Sequence, residues 1–217
     1  MYRRFVAVAL AAALLTSCRA DDHRIRVACA GDSITLGGGD VRSDNYPNNL
    51  QRLLGDGYHV RNFGVNGATA GRETDQPYVQ ESAFVRAKDF RPNIVVLMLG
   101  TNDTKNQNWR QVDRFVAGYK ELIAEFQALE SAPKIYLCVP VPAYIDGDWI
   151  NGMRVRELRP MVEEIGKDLD LTVIDLYAAL DCRPDLFPDG VHPNAEGARV
   201  IAETIHGRFA ADRQKEN

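Results

Sequence analysis

Short apolar segments alternate along this chain with stretches of helix length, and no other feature restricts its fold as strongly. Four segments carry apolar and β-branched residues without strict alternation: IRVACA (25–30), NIVVLML (93–99), KIYLCV (134–139) and LTVIDL (171–176). Runs of this kind read as strands covered on both faces. A fifth, YHVRNF (58–63), is more polar and belongs at a sheet edge. Between them lie helix-length stretches at about 46–54, 77–89, 108–130 and 152–168, and a last one at about 194–211. In the third of these, Phe115, Tyr119, Leu122, Ile123 and Phe126 recur at helical steps and form one apolar face. The alternation implies an α/β fold, a five-stranded parallel sheet with helices on both sides. In such sheets the working residues gather beyond the carboxyl ends of the strands.

The 217 residues contain no repeat, low-complexity segment or linker, so one folded domain is expected, over residues 25–217. A formal net charge of −4 without a dense Lys/Arg cluster argues against a nucleic-acid surface. The first seventeen residues read as a targeting segment. Arg3 and Arg4 precede FVAVALAAALL (5–15), a run too short to span a bilayer comfortably. LTSC (15–18) resembles the bacterial lipobox, which makes 1–17 a lipoprotein-type signal peptide, Cys18 the lipidated residue and 18–24 a short tether. The protein would then be exported and held at a membrane in the periplasm or at the cell surface through that anchor alone. Plain cleavage near Ala20 is the alternative. Cys29 and Cys138 fall in apolar strand-like runs and are expected to be buried and inert. Together with Cys182 they leave an odd count, and no C-x-x-C spacing suggests zinc or redox chemistry.

The first strand runs into CAGDSITLGGGD (29–40), a glycine-rich turn that can either cradle a phosphate or lift one side chain clear of the sheet. A phosphate loop would show G-x-G-x-x-G, or G-x-x-x-x-G-K followed by Ser or Thr, and neither is present. Ser33 stands just past the strand end. A hydroxyl is a weak nucleophile at neutral pH and needs a base within hydrogen-bond reach, itself oriented by a third group. Of the four histidines, His23 lies beside the processing site, His59 in the edge strand and His206 in the last helix. His192 sits in FPDGVHPNAEG (187–197), a turn-rich loop before the final helix, with Asp189 three residues earlier. LGTND (99–103) follows the most apolar strand and puts Asn102 at a carboxyl end of the sheet, where a neutral amide suits an oxyanion. NFGVNGATAG (62–71) puts Gly67 after the second strand, where a backbone N–H can approach a ligand closely. Each block alone reads equally well as an ordinary turn or helix cap.

Taken together and in this order, G31-D32-S33 with Thr35, Gly67 in NGAT, Asn102 in G-T-N-D and D189-x-x-H192 resemble the SGNH (GDSL-like) hydrolase family over about residues 25–211. The resemblance implies a flavodoxin-like three-layer α/β/α sandwich. It also implies Ser33 as nucleophile, His192 as base and Asp189 as its orienter, with the Ser33 N–H, the Gly67 N–H and the Asn102 side chain as oxyanion hole. Asp32 and Asp103 are expected to tie down their loops. The implied chemistry is ester hydrolysis through an acyl-enzyme on Ser33, with no metal or cofactor.

The substrate is less clearly written. Tyr46, Trp109, Tyr144 and Trp149 lie on connections near the expected active edge, where aromatic rings can stack on sugar faces or simply pack loops. The connections are short and polar, which favours a short acyl group over a long chain. GTNDTKNQNW (100–109) and DGVHPNAEGA (189–198) are similar to a bacterial subgroup of carbohydrate and sialate O-acetylesterases, so an acetylesterase acting on a glycan or small-molecule ester is expected. The alternatives are a lysophospholipase or thioesterase of the same family and a noncatalytic flavodoxin-like binding module.

Overall fold

The computed structural model describes residues 23–38 and 44–216. The signal peptide and Cys18 expected from the sequence lie outside the described residues, as do 39–43. Strands β1 (Ile25–Gly31), β2 (Tyr58–Gly64), β3 (Ile94–Met98), β4 (Lys134–Val139) and β5 (Thr172–Asp175) form one parallel sheet in the order β2-β1-β3-β4-β5. The more polar β2 is an edge strand, as its composition suggested.

Successive residues of the inner strands point to opposite faces, and both faces are apolar, which is why these segments show no alternation. Ala28, Ala30, Val95, Leu97, Ile135 and Leu137 face α3 (Ser82–Asp89), α5 (Phe115–Gln127) and α6 (Gly152–Asp168). Val27, Cys29, Val96, Met98, Tyr136 and Cys138 face α2 (Tyr46–Leu54), α7 (Leu176–Leu180) and α8 (Ala195–Glu216). The result is a three-layer sandwich. Phe115, Tyr119, Leu122, Ile123 and Phe126, the apolar face of α5, are all buried. Cys29 and Cys138 are buried free thiols, whereas Cys182 is exposed.

Two expected helices are interrupted. The stretch at 108–130 divides into α4 (Asn106–Trp109), a 3-10 turn at Val112–Arg114 and α5. The side chain of Asn108 is hydrogen-bonded to Asp75 and to the Asn102 carbonyl, so this polar segment serves neighbouring loops instead of extending the helix. The stretch at 77–89 breaks at Glu81, whose extended backbone separates a 3-10 turn (Tyr78–Gln80) from α3.

The register positions the rest. Gly31 of β1 lies opposite both Gly64 of β2 and Met98 of β3, so the three strands end at one level and their loops emerge side by side. The strand order reverses direction between β1 and β3, the place where open parallel sheets bind ligands. At the end of β3, the buried Leu99 N–H donates to the Tyr119 hydroxyl of α5 at 3.1 Å, which fixes the start of the turn that follows. Tyr119→Phe leaves that N–H without an acceptor, and urea denaturation is expected to show a loss of about 1–3 kcal/mol. Wild-type stability in that variant would contradict the role given to the hydroxyl.

Candidate active site

The β1 strand delivers its chain into a one-turn helix, α1 (Ser33–Leu36), capped by Asp32, whose carboxylate accepts from the Ile34 N–H at 2.9 Å. Ser33 therefore opens the helix, and its own N–H has no hydrogen-bond partner among the described residues. The helix closes at Gly37 in a left-handed conformation, with the Gly37 and Gly38 N–H groups both donating to the Ser33 carbonyl.

His192 reaches the serine from the loop between α7 and α8. Its Nε2 lies 2.9 Å from Ser33 Oγ, and its Nδ1 lies 2.7 Å from Asp189 Oδ2. A carboxylate only accepts, so Nδ1 carries the proton and Nε2 is left to accept from the serine hydroxyl. The other carboxylate oxygen, Oδ1, accepts from the backbone N–H groups of Val191 (2.9 Å) and His192 (2.6 Å), forming the tight turn that presents the ring. Burial opposes the Asp189 charge, but the hydrogen bonds from His192 and Val191 outweigh it and hold the carboxyl below its usual range. Gly38 packs flat on the imidazole. A Cβ there would lie 2.5 Å from His192 Cδ2, so glycine is needed for this approach.

Asn102 lies in a 3-10 turn (Thr101–Thr104) just past β3, and one of its amide hydrogens is donated to the Ala68 carbonyl at 3.1 Å. The second has no acceptor among the described residues. Gly67, with φ +78°, keeps its N–H unpaired among the described residues, and a Cβ there would run into Gln76 Oε1 at 2.6 Å. Ser33, His192, Gly67 and Asn102 line one cleft of about 320 Å³. The arrangement holds a hydroxyl hydrogen-bonded to an oriented imidazole, beside three N–H donors that no group among the described residues occupies. Such a set can support nucleophilic acyl transfer.

Residues 29–200 match the GDSL-like Lipase/Acylhydrolase family. The chain belongs to that family. It is 40% identical over 205 residues to an acetylxylan esterase of Xylanibacter ruminicola, covering 85% of this chain and 43% of the relative, so it spans under half of that protein's length. A carbohydrate acetylesterase from Sinorhizobium meliloti shares the fold with a TM-score of 0.72 at 20% identity, over 87% of this chain and 99% of that one. The aryl esterase of M. smegmatis does so with a TM-score of 0.69 at 17% identity, over 86% and 98%.

Of the four aromatic residues expected near the substrate, the fold brings one to the cleft. Trp149 lines it and is 71% exposed, with Lys105 Nζ 5.3 Å from its ring centroid. Tyr46 is corrected to a core residue. It is buried at the start of α2, and its hydroxyl is hydrogen-bonded to Thr35 at 3.1 Å, because α2 begins beneath the serine turn. Tyr144 packs on Phe187, donates to the Leu180 carbonyl at 2.6 Å and accepts from the Arg183 N–H at 2.8 Å, so its ring and its hydroxyl are both spent on the loop. Trp109 packs against the core with the Arg154 guanidinium over its ring and is not part of the cleft wall. The residues that sequence reasoning passed over include Gly38, Ile150 and Thr101 in the cleft wall.

The two flanking aspartates hold loops, as expected. The Asp103 carboxylate accepts from the Ala70 and Gly71 N–H groups at 3.0 and 2.9 Å, fastening the Gly67 loop to the Asn102 turn. Burial pushes the carboxyls of both Asp32 and Asp103 up to about 6. A carboxyl raised in the folded state stabilises the fold below its unfolded value of about 3.9, and that contribution is lost as pH rises through the folded value. Asp32→Asn keeps the cap acceptor but not the titration. It is therefore expected to gain stability relative to wild type as pH rises from about 4 to about 7, measured by chemical denaturation. A wild-type-minus-variant difference that stays constant over that range would contradict the burial argument.

Proposed function

We propose that this chain is a serine carboxylic ester hydrolase that removes short acyl groups, acetyl foremost, from oxygen esters on carbohydrates. One observation carries the reading: the His192 imidazole spans Ser33 Oγ and Asp189 Oδ2 at 2.9 and 2.7 Å, at the edge of a cleft ringed by free N–H donors.

In the proposed cycle, Ser33 Oγ attacks the ester carbonyl carbon as His192 Nε2 takes the hydroxyl proton. The carbonyl oxygen becomes an oxyanion received by the N–H groups of Ser33 and Gly67 and by the Asn102 amide. Asp189 keeps the ring in the required tautomer and stabilises the imidazolium. Collapse of the tetrahedral intermediate breaks the bond to the alcohol oxygen, which leaves with the proton from Nε2. Water then attacks the acyl-serine, gives its proton to the same nitrogen, and the acid departs as the proton returns to Ser33 Oγ. No step calls on a metal or cofactor.

The substrate class rests on three supports. The relative at 40% identity is an acetylxylan esterase, which supports an acetyl group on a carbohydrate. The cleft, at about 320 Å³, is at the small end for ligand sites and suits a short acyl group beside a sugar ring rather than a long chain. Exposed Trp149 at its mouth offers an apolar face to such a ring. The lipobox-like LTSC further supports an exported lipoprotein anchored at Cys18. Metabolic labelling with a fatty acid analogue is expected to mark the wild-type chain and not Cys18→Ala; equal labelling, or none in either, would remove the anchor from the account.

The catalytic assignment is tested with 4-nitrophenyl acetate and acetylated xylan. Ser33→Ala and His192→Ala are expected to lower turnover by several orders of magnitude, and Asn102→Ala to lower kcat roughly a hundred- to a thousand-fold. A Ser33→Ala protein hydrolysing at the wild-type rate would refute the mechanism. Trp149→Ala is expected to raise KM for acetylated xylan while leaving 4-nitrophenyl acetate unaffected. Preference for octanoyl over acetyl esters would turn the reading toward a lipid or thioester hydrolase.

A further inference from the structure

Resting on the catalytic reading above, the geometry points to Asp75 as a positioning residue that sets two of the three donors of the oxyanion hole, Gly67 and Asn102, at their mutual spacing. Those donors come from different connections, Gly67 in the loop after β2 and Asn102 in the short 3-10 turn after β3, and neither is on a strand or an α-helix. The Asp75 carboxylate is connected to both. On one side, Oδ2 is paired with Lys105 Nζ at 3.1 Å, and the same ammonium reaches the Gly67 carbonyl at 3.5 Å. On the other, Oδ1 accepts from Asn108 Nδ2 at 2.7 Å, and that amide also donates to the Asn102 carbonyl at 2.9 Å. The Asp75 N–H closes the circuit by donating to Asn108 Oδ1 at 2.9 Å.

Each arm ends on the backbone of a residue whose donor faces the cleft. The Gly67 carbonyl and N–H flank one Cα at φ +78°, a conformation with little to hold it but its neighbours, so an anchor on the carbonyl bears on the direction of the N–H. The Lys105 side chain is only 5% exposed, with the Trp149 ring beside it. A buried ammonium needs a partner, and Asp75 supplies the carboxylate. Burial opposes the Asp75 charge, but hydrogen bonds from Asn108 and Lys105 keep its carboxyl below the usual range, so it stays a carboxylate at neutral pH. The same two loops are also joined by Asp103 at Ala70 and Gly71 and by the Asn102 amide at the Ala68 carbonyl, whereas Asp75 is linked to the backbone carbonyls of both donor residues, Gly67 and Asn102.

The test compares wild type, Asp75→Ala and Lys105→Met, each alone and combined with Asn102→Ala, after thermal melting establishes which variants fold. Readouts are kcat and KM for 4-nitrophenyl acetate and affinity for phenylboronic acid, whose tetrahedral adduct on a nucleophilic serine uses the oxyanion donors. The expected result is a kcat lower by about tenfold or more with KM within about twofold, and a matching loss of boronate affinity. In the Asn102→Ala background the same substitution is expected to cost much less, since one of the two spaced donors is already gone. Unchanged kcat and boronate affinity in folded Asp75→Ala would overturn the inference. So would a loss of equal factor in both backgrounds, the mark of a merely structural role. If Asp75→Ala does not fold, Lys105→Met is held to the same outcomes. Ser33→Ala run in parallel separates the two claims: retained turnover there defeats the catalytic reading itself, whereas an inactive Ser33→Ala beside an unaffected Asp75→Ala defeats only this inference.

Discussion

Three strands that end at one level make the site. Gly31 lies opposite both Gly64 and Met98, so the serine turn, the Gly67 loop and the Asn102 turn leave the sheet together at its point of reversed strand order. A slip of one residue in either pairing would move a donor by about 3.3 Å and turn every side chain of that strand to the opposite face. The apolar packing of both faces makes such a slip costly, so core burial and site geometry are one constraint. His192 alone arrives from far along the chain, on a loop stiffened by Asp189 and by the Tyr144 N–H donating to the Gly190 carbonyl at 2.7 Å.

Above the sheet, the loops are held by carboxylates set just outside the reacting centre. Asp32 caps the serine helix, Asp103 clamps the Gly67 loop and Asp75 joins Lys105 to Asn108. These acceptors take up neighbouring N–H groups and leave those of Ser33, Gly67 and Asn102 pointing at the cleft. Preorganised donors of this kind stabilise a developing oxyanion without reorganising during the reaction. Asp189 instead holds the His192 ring, and its hydrogen bonds keep its carboxyl below the usual range.

Much of this was legible in the sequence because the strands are covered on both faces and announce themselves as unbroken apolar runs. The residues that gather at the cleft were legible too, since Ser33, Gly67, Asn102 and His192 each follow a strand or precede a helix in a turn-rich block. The rest was hidden for physical reasons. Asn108 reads as the start of an unbroken helix over 108–130, yet it is buried and bonds to Asp75 and to the Asn102 carbonyl, and the helix proper begins only at Phe115. Lys105 looks like a solvated lysine until Asp75 and Trp149 are brought around it by the fold. Tyr46 and Tyr144 lie on connections near the active edge but turn inward, because each hydroxyl finds a partner there. A place on such a connection does not tell which way a ring faces.

The central claim, that Ser33 takes the acyl group with His192 as its base, is tested most directly by trapping the intermediate. Acid quenching during the first turnover of 4-nitrophenyl acetate, followed by peptide mass spectrometry, is expected to find acetyl on the Ser33 hydroxyl in wild type and to find it nearly absent in His192→Ala. Steady hydrolysis with acetyl on some other side chain and none on Ser33 would contradict the account.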